Sequence, residues 1–227
     1  MHSRASSAII IALAFVVCAY VTDDSAPAAE SRPGLLVVNA TVKDQAQFEA
    51  YAAKSRPIVT THKGVPVLRG TNPISLAGQQ PHRMVIAFRF PSKAAIREFY
   101  DSAEYQALIP SRTAAADMVF TAYEIDQEEA PQEGKALLAV NITVKQPPLF
   151  ADYGKASRPI VQAHGGKLVL RAINPEVLFG ENRYKMLVFF KFPSQDALRA
   201  FYSSDAYQKL IPMRGSAAET VSTGFDL

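Results

Sequence analysis

Cysteine is all but missing from this sequence: the one thiol in 227 residues is Cys18. It falls in an N-terminal apolar run, so the chain beyond that run has no disulfide, no thiol nucleophile and no thiolate metal site. Charge of one sign is missing too. Twenty-four Lys and Arg against 21 Asp and Glu leave a formal net charge of +3. The charges are mixed along the chain without a Lys/Arg cluster, so the footprint of a nucleic-acid binder is absent. There is no Gly-rich phosphate loop, no paired metal-ligand spacing and no Gly-x-Ser-x-Gly elbow, so neither a cofactor nor a metal is called for.

What is present describes a folded protein: 48% of residues are hydrophobic and 20% charged. Residues 1–19 read as a secretory signal peptide. His2 and Arg4 give a basic start, and Ala8 to Val17 is unbroken apolar chain before Val17-Cys18-Ala19. That run is too short for a comfortable membrane span, so no stable span is expected after cleavage. The residue before Cys18 is Val17 rather than a small one, which disfavours lipid attachment, and no Arg-Arg pair is present. The expected location is therefore periplasmic or secreted. Residues 20–34, rich in Ala, Pro, Ser and acid, read as a flexible spacer.

The remainder is one module written twice. Ser55-Arg56-Pro57-Ile58-Val59, His62, Gly64, Val67-Leu68-Arg69 and Asn72-Pro73 return 102 positions later, from Ser157-Arg158-Pro159 to Asn174-Pro175. The offset holds without a gap from Leu35/Leu137 to Ile125/Leu227, with about half of the paired positions identical. The modules are 35–125 and 137–227, joined by a linker over 126–136.

Each module predicts strand, helix, strand, strand, helix, strand. Leu35–Val42 is β-branched and bounded by Gly34, hence a strand. Asp44 caps a helix whose apolar arc includes Phe48, Tyr51, Val59 and His62; Pro57 should kink or divide it. Gly64 suits the left-handed position after a helix. Val65–Arg69 forms a strand, Asn72-Pro73 a turn, and Arg83–Phe90 an alternating half-buried strand. Ser92 caps the second helix, which breaks near Pro110 before a last strand over 118–125. In the second copy Gln146-Pro147-Pro148 starts the first helix without a side-chain cap. The fold class is α+β: two ferredoxin-like βαββαβ modules with helices on one face of an antiparallel sheet. The bare faces must be covered, and a tethered twin is the ready partner, so an internal pseudo-dimer follows.

Arg-Pro-Ile near the first helix end, His-x-Gly-x-x-Val-Leu-Arg, Phe90-Pro91-Ser92 and Tyr105-Gln106-Ala107-Leu108-Ile109-Pro110-Ser111-Arg112 resemble the uncharacterised family known as domain of unknown function 1330. Phe192-Pro193-Ser194 and Tyr207 to Arg214 repeat the last two motifs. The resemblance implies the dimeric α/β-barrel fold and no activity.

His62 and His164 have the chemistry of a general base; as helix C-terminal residues they equally suit capping of free carbonyls. Arg69 and Arg171, in phase with Val67 and Val169, would clamp a carboxylate or sit in an internal ion pair. Arg56 and Arg158 flank the apolar helix face, for binding or for covering the kink. Tyr51 and Tyr153 belong to a buried stripe that is core or pocket wall. Arg112 and Arg214 are assigned to the broken helix beside the preceding proline. Asn39-Ala40-Thr41 and Asn141-Ile142-Thr143 match a glycosylation pattern inside strands, where it is not usable.

Two functions follow. The first is an exported protein binding a small apolar or weakly acidic molecule between the sheet and helices of each module. The alternative is a cofactor-independent isomerase or oxygenase of small organic acids, with a His base and an Arg clamp.

Overall fold

In a computed structural model the structure describes residues 32–227; the expected signal peptide, Cys18 and most of the spacer lie outside the described residues. The first half runs β1 Gly34–Val42, α1 Gln45–Thr61, β2 Val65–Ala77, β3 Met84–Phe90, α2 Lys93–Asp101, α3 Ala103–Gln106, α4 Ile109–Ala115 and β4 Ala116–Glu128. The second repeats it: β5 Ala136–Val144, α5 Pro147–Ala163, β6 Lys167–Phe179, β7 Met186–Phe192, α6 Gln195–Ser203, α7 Asp205–Gln208, α8 Ile211–Ala217 and β8 Ala218–Asp226.

Each half has the order 4-1-3-2 of a ferredoxin-like sheet, all antiparallel. The two sheets do more than face one another. β2 pairs with β8 and β4 with β6, so eight strands close into one barrel, β1-β3-β2-β8-β5-β7-β6-β4. Closure removes every free sheet edge that separate modules would expose. The barrel interior is filled by Leu35, Val37, Leu68, Leu137, Leu170, Phe189 and Phe225, all at most 9% exposed. The opposite sheet faces carry the helices over separate apolar layers.

Local chemistry sets the helix starts. The Asp44 carboxylate accepts from the Gln47 amide at 3.0 Å, and Ser92 and Ser194 accept from Ala95 and Ala197 at 3.1 Å each. α5 has Pro147 in its first turn and no side-chain cap, as its sequence requires.

Three local expectations are corrected. Pro57 does not divide α1, which runs unbroken through Thr61; Pro57 is exposed, so water serves the carbonyl it leaves unbonded. Gly64 is not left-handed. Lys63 takes that conformation (φ 61°), while a Cβ at Gly64 would lie 2.5 Å from Val59 Cγ1 and 2.6 Å from Phe90 Cζ, so the glycine permits a close crossing. Asn72-Pro73 is no chain reversal but a bulge inside β2, with Asn72 at φ 51° and the β2–β8 register shifting between Thr71 and Ile74. Asn174 does the same in β6 at φ 52°. Their amides tie the seams, Asn72 to Asp226 at 3.0 Å and Asn174 to Glu124 at 2.8 Å. β4 runs on through Glu128, which shortens the linker expected over 126–136 to residues 129–135.

Candidate functional site

The last strand of each half returns the chain under its own helices, and α4 and α8 turn an arginine inward there. Arg112 is 1% exposed and Arg214 7%. Each lies seven residues after a tyrosine, across the break between α3 and α4 or between α7 and α8, and that break brings the guanidinium to the phenol. Arg112 Nη1 donates to Tyr105 Oη at 3.2 Å and Arg214 Nη1 to Tyr207 Oη at 2.9 Å. The relay continues to Tyr51 and Tyr153, whose hydroxyls lie 2.9 Å from those of Tyr105 and Tyr207. Burial holds the phenols of Tyr51, Tyr105 and Tyr153 above their ordinary range, so they stay protonated at physiological pH. Neither arginine has a carboxylate partner among the described residues.

The two copies then diverge. In the first half the Arg112 guanidinium is covered by the rings of Phe179, 4.3 Å from its carbon, and Phe120 at 4.8 Å. These two are register partners across the β4–β6 seam. Nε and Nη2 of Arg112 are buried there without hydrogen-bond partners. In the second half the matching seam pair is Ser222 and Ala77. Thr220 stands where the first half has Met118.

Two of these truncated positions, Ser222 and Thr220, line a cavity of about 690 Å³ between α5 and the outer face of β5, β7 and β6. Phe150, Tyr153, Leu138, Phe190 and Val161 supply apolar wall; Arg214, Tyr207, Tyr202, Thr220 and Ser222 supply the polar end. α1 buries Phe48, Tyr51 and Val59, whereas α5 buries Val161 alone, so the second helix stands off its sheet. Arg158, Lys167 and Arg171 also line the cavity, against one lining carboxylate, Glu129.

The residues singled out from the sequence divide accordingly. Tyr153, Arg158 and Arg171 line the cavity, and Tyr51 is locked in the closed first half. Arg171 Nε donates to Asp126 Oδ2 at 2.7 Å, which engages it as an internal ion pair. Arg69 and Arg56 are exposed. His62 and His164 terminate α1 and α5, packed edge-on to Phe99 and Phe201 at 6.1 Å; His164 Nδ1 lies 2.9 Å from the Ile160 carbonyl. Neither lines the cavity. Arg112 and Arg214, expected to serve the helix break, serve the tyrosines instead. The sequence reading missed Arg214, Ser222 and Thr220 as wall residues, because it followed what the copies share. A second cavity of about 620 Å³ lies at one barrel end, lined by Asn39, Asn141, His82 and Asn182 among others.

The profile described as Domain of unknown function (DUF1330) matches residues 33–124 and 135–223. The chain belongs to the DUF1330 family. No curated protein matches this DUF1330 chain in sequence. Among solved structures it is similar to a mutant chlorite dismutase from Candidatus Nitrospira defluvii (8% identity, 87% of this chain and 93% of that one, TM-score 0.53). It is also similar to an anthrone oxidase-like protein (12% identity, 87% and 92%, TM-score 0.53). A heme-binding protein from Thermus thermophilus aligns with 8% identity over 86% and 91% of the chains, TM-score 0.50. At these identities the likeness shows the fold, a ferredoxin-like α/β barrel.

A haem would not suit this cavity. Its lining contains neither His nor Cys, and its phenols are bonded to one another or to Arg214. Among the described residues no cluster of three or more His, Cys, Asp or Glu could hold a metal ion. No helix among them is long and apolar enough to cross a membrane.

Proposed function

We propose that this DUF1330 chain is an exported protein that binds a small apolar or weakly acidic molecule, and that the binding site is the cavity of the second half. One observation carries the reading: a cavity of about 690 Å³ is lined by a buried guanidinium, that of Arg214, with no carboxylate partner among the described residues. The volume lies in the range of small-molecule sites, which are mostly apolar with a few convergent polar groups. A desolvated cation without a counter-ion is costly, and a bound anion would offset that cost. Export rests on the leader of residues 1–19. The expectation of a site in each half narrows to the second, since Phe120 and Phe179 fill the first.

A thermal-shift screen of the protein with small acids and phenols tests the binding reading. A ligand at a hundred times its Kd adds about 2.7 kcal/mol, and that raises the midpoint by roughly 5–10 °C for a domain of this size. If no acid or phenol moves the midpoint, the cavity is not a binding site for this class. The reading as a cofactor-independent isomerase or oxygenase of small organic acids, with a His base, needs that imidazole at the cavity, and neither His62 nor His164 lines it.

A further inference from the structure

The first half of the chain contains, in its own side chains, a picture of what the second half lacks. We infer that the ligand of the second-half cavity is a planar aromatic carboxylate, its ring stacked on the Arg214 guanidinium and its negative charge offsetting that of the guanidinium. This rests on the cavity being a binding site, and it adds the chemical class.

The Tyr–Tyr–Arg relay is the same in both halves to within a few tenths of an ångström. The guanidinium of each half therefore presents its planar face toward the seam between the halves. In the first half two aromatic rings occupy that face, at 4.3 and 4.8 Å, where cation–π attraction in a desolvated site is strongest. In the second half the corresponding cross-strand pair is Ser222 with Ala77, and no ring replaces them. The rings over Arg214 are those of Tyr202 and Tyr207 alone, both at 5.9 Å. A planar aromatic group is what fits the released space.

The charge argument is independent of the ring argument. Covering Arg112 with phenylalanine leaves its Nε and Nη2 unbonded, so rings alone do not satisfy a guanidinium there. Arg214 gives two of its five N–H donors to Tyr207 and Tyr202, the second at 3.5 Å. A carboxylate brings the negative charge that offsets this cation, which neither a hydroxyl nor an ester does. Thr220 and Ser222 add hydroxyls beside it. With Arg171 paired to Asp126, Arg158 and Lys167 still outnumber the one lining carboxylate, Glu129, and this cationic excess draws an anion inward.

The test is calorimetric titration of the full chain with three probes: 2-naphthoate, decahydronaphthalene-2-carboxylate and methyl 2-naphthoate. 2-Naphthoate should bind one per chain. Loss of the π face in the saturated acid should weaken binding about threefold to thirtyfold. Loss of the charge in the ester should weaken it about tenfold to a hundredfold. The variant Phe120→Ser with Phe179→Ala should bind two naphthoates per chain. Equal affinity of acid and ester would overturn the carboxylate assignment and leave the cavity as a site. Equal affinity of naphthoate and its saturated analogue would overturn the stacking. Binding by none of the three would sink the cavity itself. These outcomes are read on the unmodified protein, so they stand even if the double variant does not fold.

Discussion

Rebuilding the closed wall of the first half in the second is the sharpest perturbation available. The variant carries Ser222→Phe and Ala77→Phe, restoring the pair that Phe120 and Phe179 make across the other seam. Phe120 is 3% exposed and Phe179 39%, so the first introduced ring should be buried and the second about half buried. A phenylalanine buries about 150–250 Å², and at about 25 cal/mol per Å² a full burial is worth roughly 4–6 kcal/mol as an upper bound. Inserting a large side chain costs about 1–3 kcal/mol in strain. That leaves about 2 kcal/mol at position 222 and about 1 kcal/mol at position 77, with the ring–guanidinium attraction included in the margin. The sum of about 3 kcal/mol should raise the melting midpoint by roughly 6–12 °C. Differential scanning calorimetry reads this directly, with naphthoate titration on the same sample. A midpoint that falls would refute the reasoning, since the second half would then not be an emptied copy of the first.

Other outcomes follow from the same structure. Burial raises the phenols of Tyr51, Tyr105 and Tyr153, and pushes Tyr123 up to about 12. Groups whose folded pKa lies above the unfolded value near 10 bind more protons when folded, so their contribution is complete below pH 10 and lost as pH rises beyond it. Four such groups tilt stability by up to about 5 kcal/mol per pH unit, so unfolding should come near pH 11. Absorbance at 295 nm should then rise together with loss of the far-UV circular dichroism. Ionisation of more than five of the nine tyrosines below pH 10.5 with the dichroism intact would contradict the buried relay. At the seam, Asn72 combines φ 51° with a bond to Asp226. Asn72→Gly should cost under about 1 kcal/mol, and Asn72→Val about 2 kcal/mol or more, because a β-branched residue resists that backbone. Urea denaturation separates the two; equal costs would show that the left-handed residue is not what shapes the bulge.

The architecture was legible because it is repeated and because its signals are local. Asp44, Ser92 and Ser194 cap where they stand, and Met84–Phe90 is the strand expected, though covered on both faces rather than half-buried, with Val85 and Ala87 in the barrel and Met84 and Phe90 under the helices. Local rules failed where the deciding partner is remote. Asn72-Pro73 looks like a turn to its neighbours, yet Asp226, 154 residues on, makes it a bulge in a strand that crosses to the other half. A proline inside a helix predicts a kink or a division, but α1 is continuous, and Pro57 and Ala53, whose carbonyl it leaves unbonded, lie on its exposed side, where that carbonyl is open to water. Arg112 and Arg214 were placed beside the nearest irregularity, while the tyrosines they serve lie seven residues back and across the module.

The cavity was hidden for another reason. It goes with differences between the copies: Thr220 and Ser222, which line it, stand where the first half has Met118 and Phe120, and Ala77 pairs with Ser222 where Phe179 pairs with Phe120. Only the pairing of β4 with β6 and of β8 with β2 shows that the last two differences face each other. His62 and His164 drew notice as the residues with the richest solution chemistry, but the helix ends hold them away from the cavity.

The most direct test is a crystal structure of the full chain soaked in 4-bromobenzoate, with anomalous scattering locating the bromine. One peak in the second-half cavity, with the ring over the Arg214 guanidinium, is the expected result. A bromine seated beneath Phe179 in the first half, or density confined to the outer surface, would contradict the account.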